Sequence, residues 1–164
     1  MVEPRIRISA VLFVVLFCVV VATATAGEPV RARIEVEGLH DHPAYTHMIT
    51  TEGNWKTLYI AGQTPMAPDG SCASPGDWRG QYILVMENLK KVLAAGHATF
   101  SDVTFIRRFV TSIDDYFSML ADKENPVADY FEGKPPASTL IEVSRLADRC
   151  YLMEFDLIAA VPAK

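Results

Sequence analysis

The chain has 164 residues, half of them hydrophobic, with 15 basic and 20 acidic side chains and a formal net charge of −5. This length is suited to one domain with a sizeable core. The acidic balance disfavours nucleic acid as a partner, because affinity for phosphate backbones comes largely from lysine and arginine. No P-loop, dinucleotide fingerprint or nucleophile elbow occurs, so we expect no cofactor.

Residues 1–26 have the three parts of a secretory signal peptide. Arg5 and Arg7 precede an apolar run over residues 8–22, and small residues follow up to Ala26. The apolar run is short for a membrane span, which needs about 20 residues. We therefore predict cleavage after Ala26 and a periplasmic or secreted protein with no stable membrane span. An uncleaved anchor is the alternative.

Cleavage would leave two cysteines, Cys72 and Cys150. An oxidising compartment would allow them to pair. Their spacing does not place them within bridging distance, so free or buried thiols are the expected state and a disulfide is the alternative.

The first half of the chain reads as a leader, a hairpin and a helix. Residues 27–44 form the predicted leader, with a short alternating strand at 33–37, and residues 45–164 form the predicted domain. Strands at 45–50 and 57–61 flank a turn at 52–54, a pattern typical of a hairpin. Residues 62–77 read as a loop. From Trp78, apolar residues at helical spacing predict a helix that Asp77 caps and Gly96 ends. Its apolar stripe is Trp78, Tyr82, Val85, Leu89 and Val92.

The second half predicts a strand, a helix and two more strands. Residues 103–110 are rich in β-branched and aromatic residues, as in a strand. Asp114 or Asp115 can cap a second helix that runs to residues 130–131, with a kink or restart at Pro126 that Asn125 could cap. Residues 139–143 and 151–161 complete the order ββ(β)αβαββ. This order predicts an α+β fold, a single sheet with two helices packed on one face.

One face of that sheet needs a cover other than the helices. The last strand is almost wholly apolar, which is unusual for a strand that faces solvent. We therefore expect this strand to be buried against another subunit.

Several short blocks, in order, resemble the Rid family (RidA/YjgF, the reactive intermediate deaminases). The blocks are Tyr45, residues 58–65, Gln81, residues 87–89, 95–96, 102–103 and 111–115, residues 136–143 and residues 154–156. The resemblance covers residues 45–161. It implies a chorismate-mutase-like fold and a homotrimer that binds small metabolites in clefts between subunits. It also implies hydrolysis of imines.

The resemblance assigns roles to four residues. Glu154 matches the glutamate that positions or activates water, and an apolar strand suits proton transfer because burial favours the protonated carboxyl group. The alternative is a strand-end glutamate that backbone donors satisfy. Tyr45 matches the tyrosine that closes over the ligand, although such a residue often only packs. Gly62 and Gln63 follow the hairpin strand and would orient the substrate.

Two positions depart from the family pattern. Relatives in the imine-hydrolysing branch have an arginine where this chain has Ser138, and commonly a serine where it has Ala61. A guanidinium binds a carboxylate through two charge-assisted hydrogen bonds, whereas a serine offers one neutral donor. Ser138 is still a predicted substrate-binding residue. A carboxylate substrate would need its cation from elsewhere.

Arg107 and Arg108 are the candidate substitutes for that cation. Successive residues of a strand point to opposite faces, so one arginine lies on each face. Arg107, which shares a face with Phe105 and Phe109, is the predicted substrate-binding residue. The favoured alternative is a salt bridge to a carboxylate, since buried charges are usually paired. Arg145 is expected to be exposed.

His40, His42 and His47 lie close to Asp41. Their spacing does not match a known ligand set, so we expect loop histidines and no metal.

Two functions remain open at the level of sequence. The first is a hydrolytic, deaminase-like enzyme that acts on a small imine, enamine or related reactive metabolite. The second is a non-catalytic trimer that binds a small metabolite and has lost 2-imino acid deaminase activity. Ser138 and Ala61 favour the second or a less anionic substrate.

Overall fold

A computed structural model describes residues 28–124 and 126–163. Six strands and two helices follow in the predicted order: β1 (Val30–Ile34), β2 (Met48–Glu52), β3 (Trp55–Gln63), α1 (Trp78–Ala95), β4 (Val103–Val110), α2 (Ile113–Ala121), β5 (Ala137–Glu142) and β6 (Met153–Pro162). A short 3-10 helix, Phe100–Asp102, precedes β4. The predicted signal peptide lies outside the described residues. No helix within them is long and apolar enough to cross a membrane.

The main sheet has four strands in the order β3-β6-β4-β5. β6 runs antiparallel to β3 and β4, whereas β4 and β5 are parallel. Alternate residues of β6 are buried beneath the helices, namely Met153, Phe155, Leu157 and Ala159. The α+β fold with both helices on one face of the sheet is therefore confirmed.

The predicted hairpin between the second and third strands is wrong. β2 pairs with β1 in a separate two-stranded sheet, with Ile34 opposite Met48 and Val30 opposite Glu52. Arg31 of β1 anchors this small sheet to the domain, since it donates to the carbonyl oxygens of Ser101 and Ala160 and lies over the Trp55 ring. A turn signal depends only on the residues of the turn. It therefore could not show that β1, the leader strand, pairs with β2 in place of β3.

α1 has the predicted bounds because its end signals are local. The Asp77 side chain accepts a hydrogen bond from the Gly80 amide at 3.0 Å, and Gly96 caps the last turn. The buried face differs from the predicted stripe at its end, where Leu93 is buried and Val92 is exposed.

α2 differs from the prediction at both ends. Ser112 is the N-cap, since its hydroxyl group accepts from the Asp115 amide at 3.2 Å. The helix ends at Ala121, well before residues 130–131, and the described residues after it are irregular. Pro126 lacks an amide hydrogen, so an unbroken helix cannot continue through it to residues 130–131. Asn125 lies outside the described residues.

Packing within the chain accounts for much of the apolar character of β6. Its most apolar alternate positions face the helices, and burial of the strand against a second subunit stays a prediction. The other face of the sheet, called the open face below, carries Glu154 and Asp156 from β6 together with Arg107 from β4 and the exposed ring of Tyr59 from β3.

Candidate functional site

The predicted site residues divide between the two faces of the main sheet. Glu154, Gly62 and Arg107 lie on the open face, whereas Ser138 and Tyr45 line a cavity on the helix face. The register of β4 with β5 and β6 explains why these residues lie on different faces. Ser138 is opposite the buried Ile106, and Glu154 is opposite Phe109, which lies on the face of Arg107.

Glu154 is in direct contact with Gly62. A Cβ atom built on Gly62 would collide with the Glu154 carboxylate and would lie 2.9 Å from its Cδ. Glycine is therefore required at position 62 for space, and a bulge in β3 between Ile60 and Gln63 brings it there. The half-buried Glu154 carboxylate has no hydrogen bond or ion pair with any residue that the structure describes. The predicted alternative, backbone donors that satisfy this glutamate, is not observed within those residues.

Arg107 forms an ion pair with Asp156, its neighbour on β6. Its Nε lies 3.0 Å from both carboxylate oxygens and its Nη2 lies 2.9 Å from Oδ2. The salt bridge favoured as the alternative for Arg107 is thus present. The pair borders a shallow cavity of about 350 Å³ on the open face, which Tyr59, Ala61 and Gly62 also line.

Gln63 turns back on its own strand. Its side-chain amide donates to the carbonyl oxygens of Ala61 and Gly62, each at 3.2 Å. It also borders a separate cavity beside Asn88 and Lys91 of α1. These hydrogen bonds stabilise the bulge around Gly62.

The cavity on the helix face has a volume of about 380 Å³. Its residues come from both helices, from β4 and β5 and from the segments at 42–45 and 128–135. Tyr45 forms part of the rim and stacks on His42, with ring centroids 5.0 Å apart. Ser138 and Leu140 supply the β5 wall. The volume falls in the range of small-molecule sites.

Tyrosine rings form the floor of this cavity. Burial raises the pKa of both Tyr82 and Tyr116, and the nearby charge of Arg108 opposes the increase. The two phenols therefore remain neutral hydrogen-bonding groups at physiological pH. Arg108, the second candidate cation, lies on the helix face and lines the cavity.

A disulfide joins Cys72 to Cys150, so the expected free thiols are wrong. The Cα atoms are 6.3 Å apart across a sequence separation of 78 residues. The fully buried Gln81 holds the same two segments, because its amide donates to the Cys150 and Ser74 carbonyl oxygens and accepts from the Leu152 amide. Sequence spacing could not reveal this proximity, since it depends on how the loop packs against the entry to β6.

Among the residues that the structure describes, one group of side chains could hold a metal ion, formed by Glu35, Asp41 and His47. Both ring nitrogens of His47 already have partners, since Nδ1 lies 3.0 Å from the Val36 amide and Nε2 lies 3.2 Å from the His40 carbonyl oxygen. Nδ1 also lies 2.8 Å from the Glu35 carboxylate. The group is accounted for by these contacts and is not assigned to a metal.

Comparisons with known proteins agree with this fold. The family model described as Endoribonuclease L-PSP matches residues 39–161. A RutC family protein of Sulfurisphaera tokodaii is 36% identical over 90 residues, 55% of this chain and 69% of the relative. Protein DfrA of Myxococcus xanthus is 38% identical over 104 residues, 63% of this chain and 76% of DfrA.

Comparison of the fold with solved structures indicates the same family. YyfB of Yersinia pestis, described as a conserved Rid family protein, is 28% identical with a TM-score of 0.69, covering 80% of this chain and 98% of YyfB. YyfA of the same organism, with the same description, is 30% identical with a TM-score of 0.55, covering 80% of this chain and all of YyfA. The chain therefore belongs to the Rid family (RidA/YjgF).

Proposed function

We propose that the protein hydrolyses a small imine, enamine or related reactive metabolite. In this reaction water adds to the carbon of a C=N bond, and the products are a carbonyl compound and ammonia. Glu154 accepts a proton from the attacking water and returns it to the departing nitrogen. The observation that carries the proposal is the Glu154 carboxylate, held against Gly62 without a partner among the described residues.

The proposed site is assembled between the subunits of a homotrimer. Glu154 and Gly62 lie on one face of the sheet, whereas Tyr45 and Ser138 line a cavity on the other. One subunit cannot present both sets to one small ligand. A neighbouring subunit docked on the open face would supply Tyr45 and Ser138 opposite Glu154.

We also propose that the protein is exported and acts in the periplasm or outside the cell. The predicted signal peptide supports this location, and the Cys72–Cys150 disulfide adds independent support, because disulfides persist in oxidising compartments.

The first test is an imine-hydrolysis assay. An amino-acid oxidase generates 2-iminopropanoate in situ, semicarbazide traps the remaining imine, and the purified protein competes with the trap. We expect faster imine loss with the parent and at least a hundredfold lower rate with Glu154→Gln, the usual scale for a general base. Equal rates for the parent and Glu154→Gln would refute the catalytic role. Ser138→Arg tests whether the family arginine increases activity.

Complementation tests the intersubunit site. Glu154→Gln and Tyr45→Ala subunits, each inactive alone, are co-expressed with different tags and mixed trimers are purified. A site shared between subunits would regain a share of the parental rate, because some interfaces then contain both native residues. Mixed trimers that stay inactive would place the whole site within one subunit.

The second candidate is a trimer that binds a small metabolite without converting it. Ala61 and Ser138 favour it, since each lacks a polar group that imine-hydrolysing relatives use. It predicts no turnover in the parent together with ligand affinity that Glu154→Gln leaves within about threefold. Cleavage of RNA is a weaker candidate, because the net charge of −5 opposes binding to phosphate backbones.

A further inference from the structure

Arg108 lies beside the position where the family arginine is missing. Ser138 of β5 is opposite Ile106 of β4, and Leu140 is opposite Arg108. Arg108 is therefore on the same face of the sheet as Ser138, on the neighbouring strand and two residues beyond the residue opposite Ser138. Both residues line the cavity of about 380 Å³.

Within the part of the chain that the structure describes, the Arg108 guanidinium group is not in an ion pair with a carboxylate. Among the described residues, no hydrogen bond or ion pair involves its guanidinium group. Asp129 also lines the cavity, where its oxygens accept hydrogen bonds from the backbone amides of Phe131 and Gly133, at 3.0 and 2.6 Å, and it forms no ion pair with Arg108. In contrast, Arg107 on the opposite face forms an ion pair with Asp156.

The walls around Arg108 are mostly aromatic. The rings belong to Tyr45, Tyr82, Tyr116, Phe117, Tyr130 and Phe131. Tyr82 and Tyr116 are almost fully buried. Aromatic rings favour a planar partner in offset or edge-to-face contact, and an unpaired guanidinium favours a carboxylate, which it can bind bidentately.

We propose that Arg108 is a relocated carboxylate anchor and that the helix-face cavity binds an aromatic monocarboxylate. The inference rests on the proposed function, since Tyr45 and Ser138 belong to both. It adds the substrate class: the ring of the ligand packs among the tyrosines and phenylalanines, and its carboxylate pairs with Arg108. The cation that binds the carboxylate is then on β4, at Arg108, instead of on β5 at position 138. The aromatic walls select a ligand that is large enough to contain a ring.

Binding of phenylacetate to the purified protein tests the proposal by isothermal titration calorimetry. Phenylacetamide has the same shape without the charge, and propanoate has the charge without the ring. We expect phenylacetate to bind at least tenfold more tightly than either compound, as loss of a charge-assisted hydrogen bond or of the buried ring predicts. Equal affinity for phenylacetate and phenylacetamide, or no binding of phenylacetate at millimolar concentration, would overturn it.

Variants locate the anchor. Arg108→Met keeps the apolar stem and should weaken phenylacetate binding at least tenfold, whereas Arg108→Lys keeps the charge and should retain part of the affinity. Arg145→Met removes the same charge from an exposed residue of the loop after β5 and should not change binding. Thermal unfolding confirms that each variant is folded. A folded Arg108→Met protein with parental affinity would refute the assignment.

The Glu154→Gln variant separates this inference from the proposed function. Imine hydrolysis that Glu154→Gln abolishes reports on the proposed function, whereas phenylacetate binding by the parent reports on the anchor. Selective binding without any imine hydrolysis would uphold the anchor and refute the enzyme. Glu154-dependent hydrolysis without selective binding would uphold the enzyme and refute the anchor.

Discussion

Glu154 is an acidic residue between two fully buried neighbours, Met153 and Phe155. Strand alternation places its side chain on the open face, and the bulge in β3 brings Gly62 against it. The sequence identified both residues through the family pattern, but the contact between them follows from the register of β3 and β6. For Arg107 the sequence favoured a salt bridge to some carboxylate, and the structure identifies that carboxylate as Asp156.

Gly62→Ala should lower the free energy of unfolding by about 1–3 kcal/mol, the usual cost of an overpacked contact. The added methyl group meets the Glu154 side chain, which must move. Urea denaturation measures the change. In Gly62→Ala/Glu154→Ala the colliding atoms are absent, so most of the lost stability should return. A Gly62→Ala protein as stable as the parent would show that the contact is not tight.

At the scale of elements, the features that depend on residues close together in the chain were predicted correctly, and those that depend on distant residues were not. The bounds of α1 and β4 were predicted because caps and side-chain periodicity are local features. The partner of β2 and the end of α2 were not, since they depend on the leader strand and on how residues after Ala121 pack. The Cys72–Cys150 bridge belongs to the same class, because it links the loop after β3 to the entry of β6.

Replacement of both Cys72 and Cys150 by serine should lower the free energy of unfolding by about 2–4 kcal/mol. A bridge across 78 residues restricts the unfolded chain strongly. The comparison uses urea denaturation with and without dithiothreitol. The reductant should destabilise the parent and leave the double variant unchanged. A parent that is insensitive to complete reduction would contradict the stabilising role of the bridge.

For the whole molecule, the open face is the surface that one subunit leaves uncovered. Tyr59, on the edge strand β3, is 81% exposed on this face, an unusual state for a large ring in the middle of a strand. The helices already cover the apolar side of β6, so the subunit proposed above would cover the open face.

Tyr59→Glu should dissociate the proposed homotrimer, because a charge buried in an interface without a partner loses its hydration. Size-exclusion chromatography with light scattering gives the mass of each species. Val92→Glu, at an exposed residue of α1, is the matched control and should stay assembled. A parent that is monomeric at all concentrations would refute the trimer, and a trimeric Tyr59→Glu would exclude the open face as its interface.

The sequence by itself determined the fold class, the order of elements and the family, because these follow from side-chain periodicity, caps and short motifs in a set order. It also predicted Glu154, Tyr45 and Ser138 as site residues, and this stays a prediction. Only the tertiary structure decided that Glu154 and Ser138 lie on opposite faces, that Cys72 meets Cys150, and that Arg108 enters the aromatic cavity unpaired. These facts depend on strand register and on contacts between residues far apart in the chain, which local patterns do not encode.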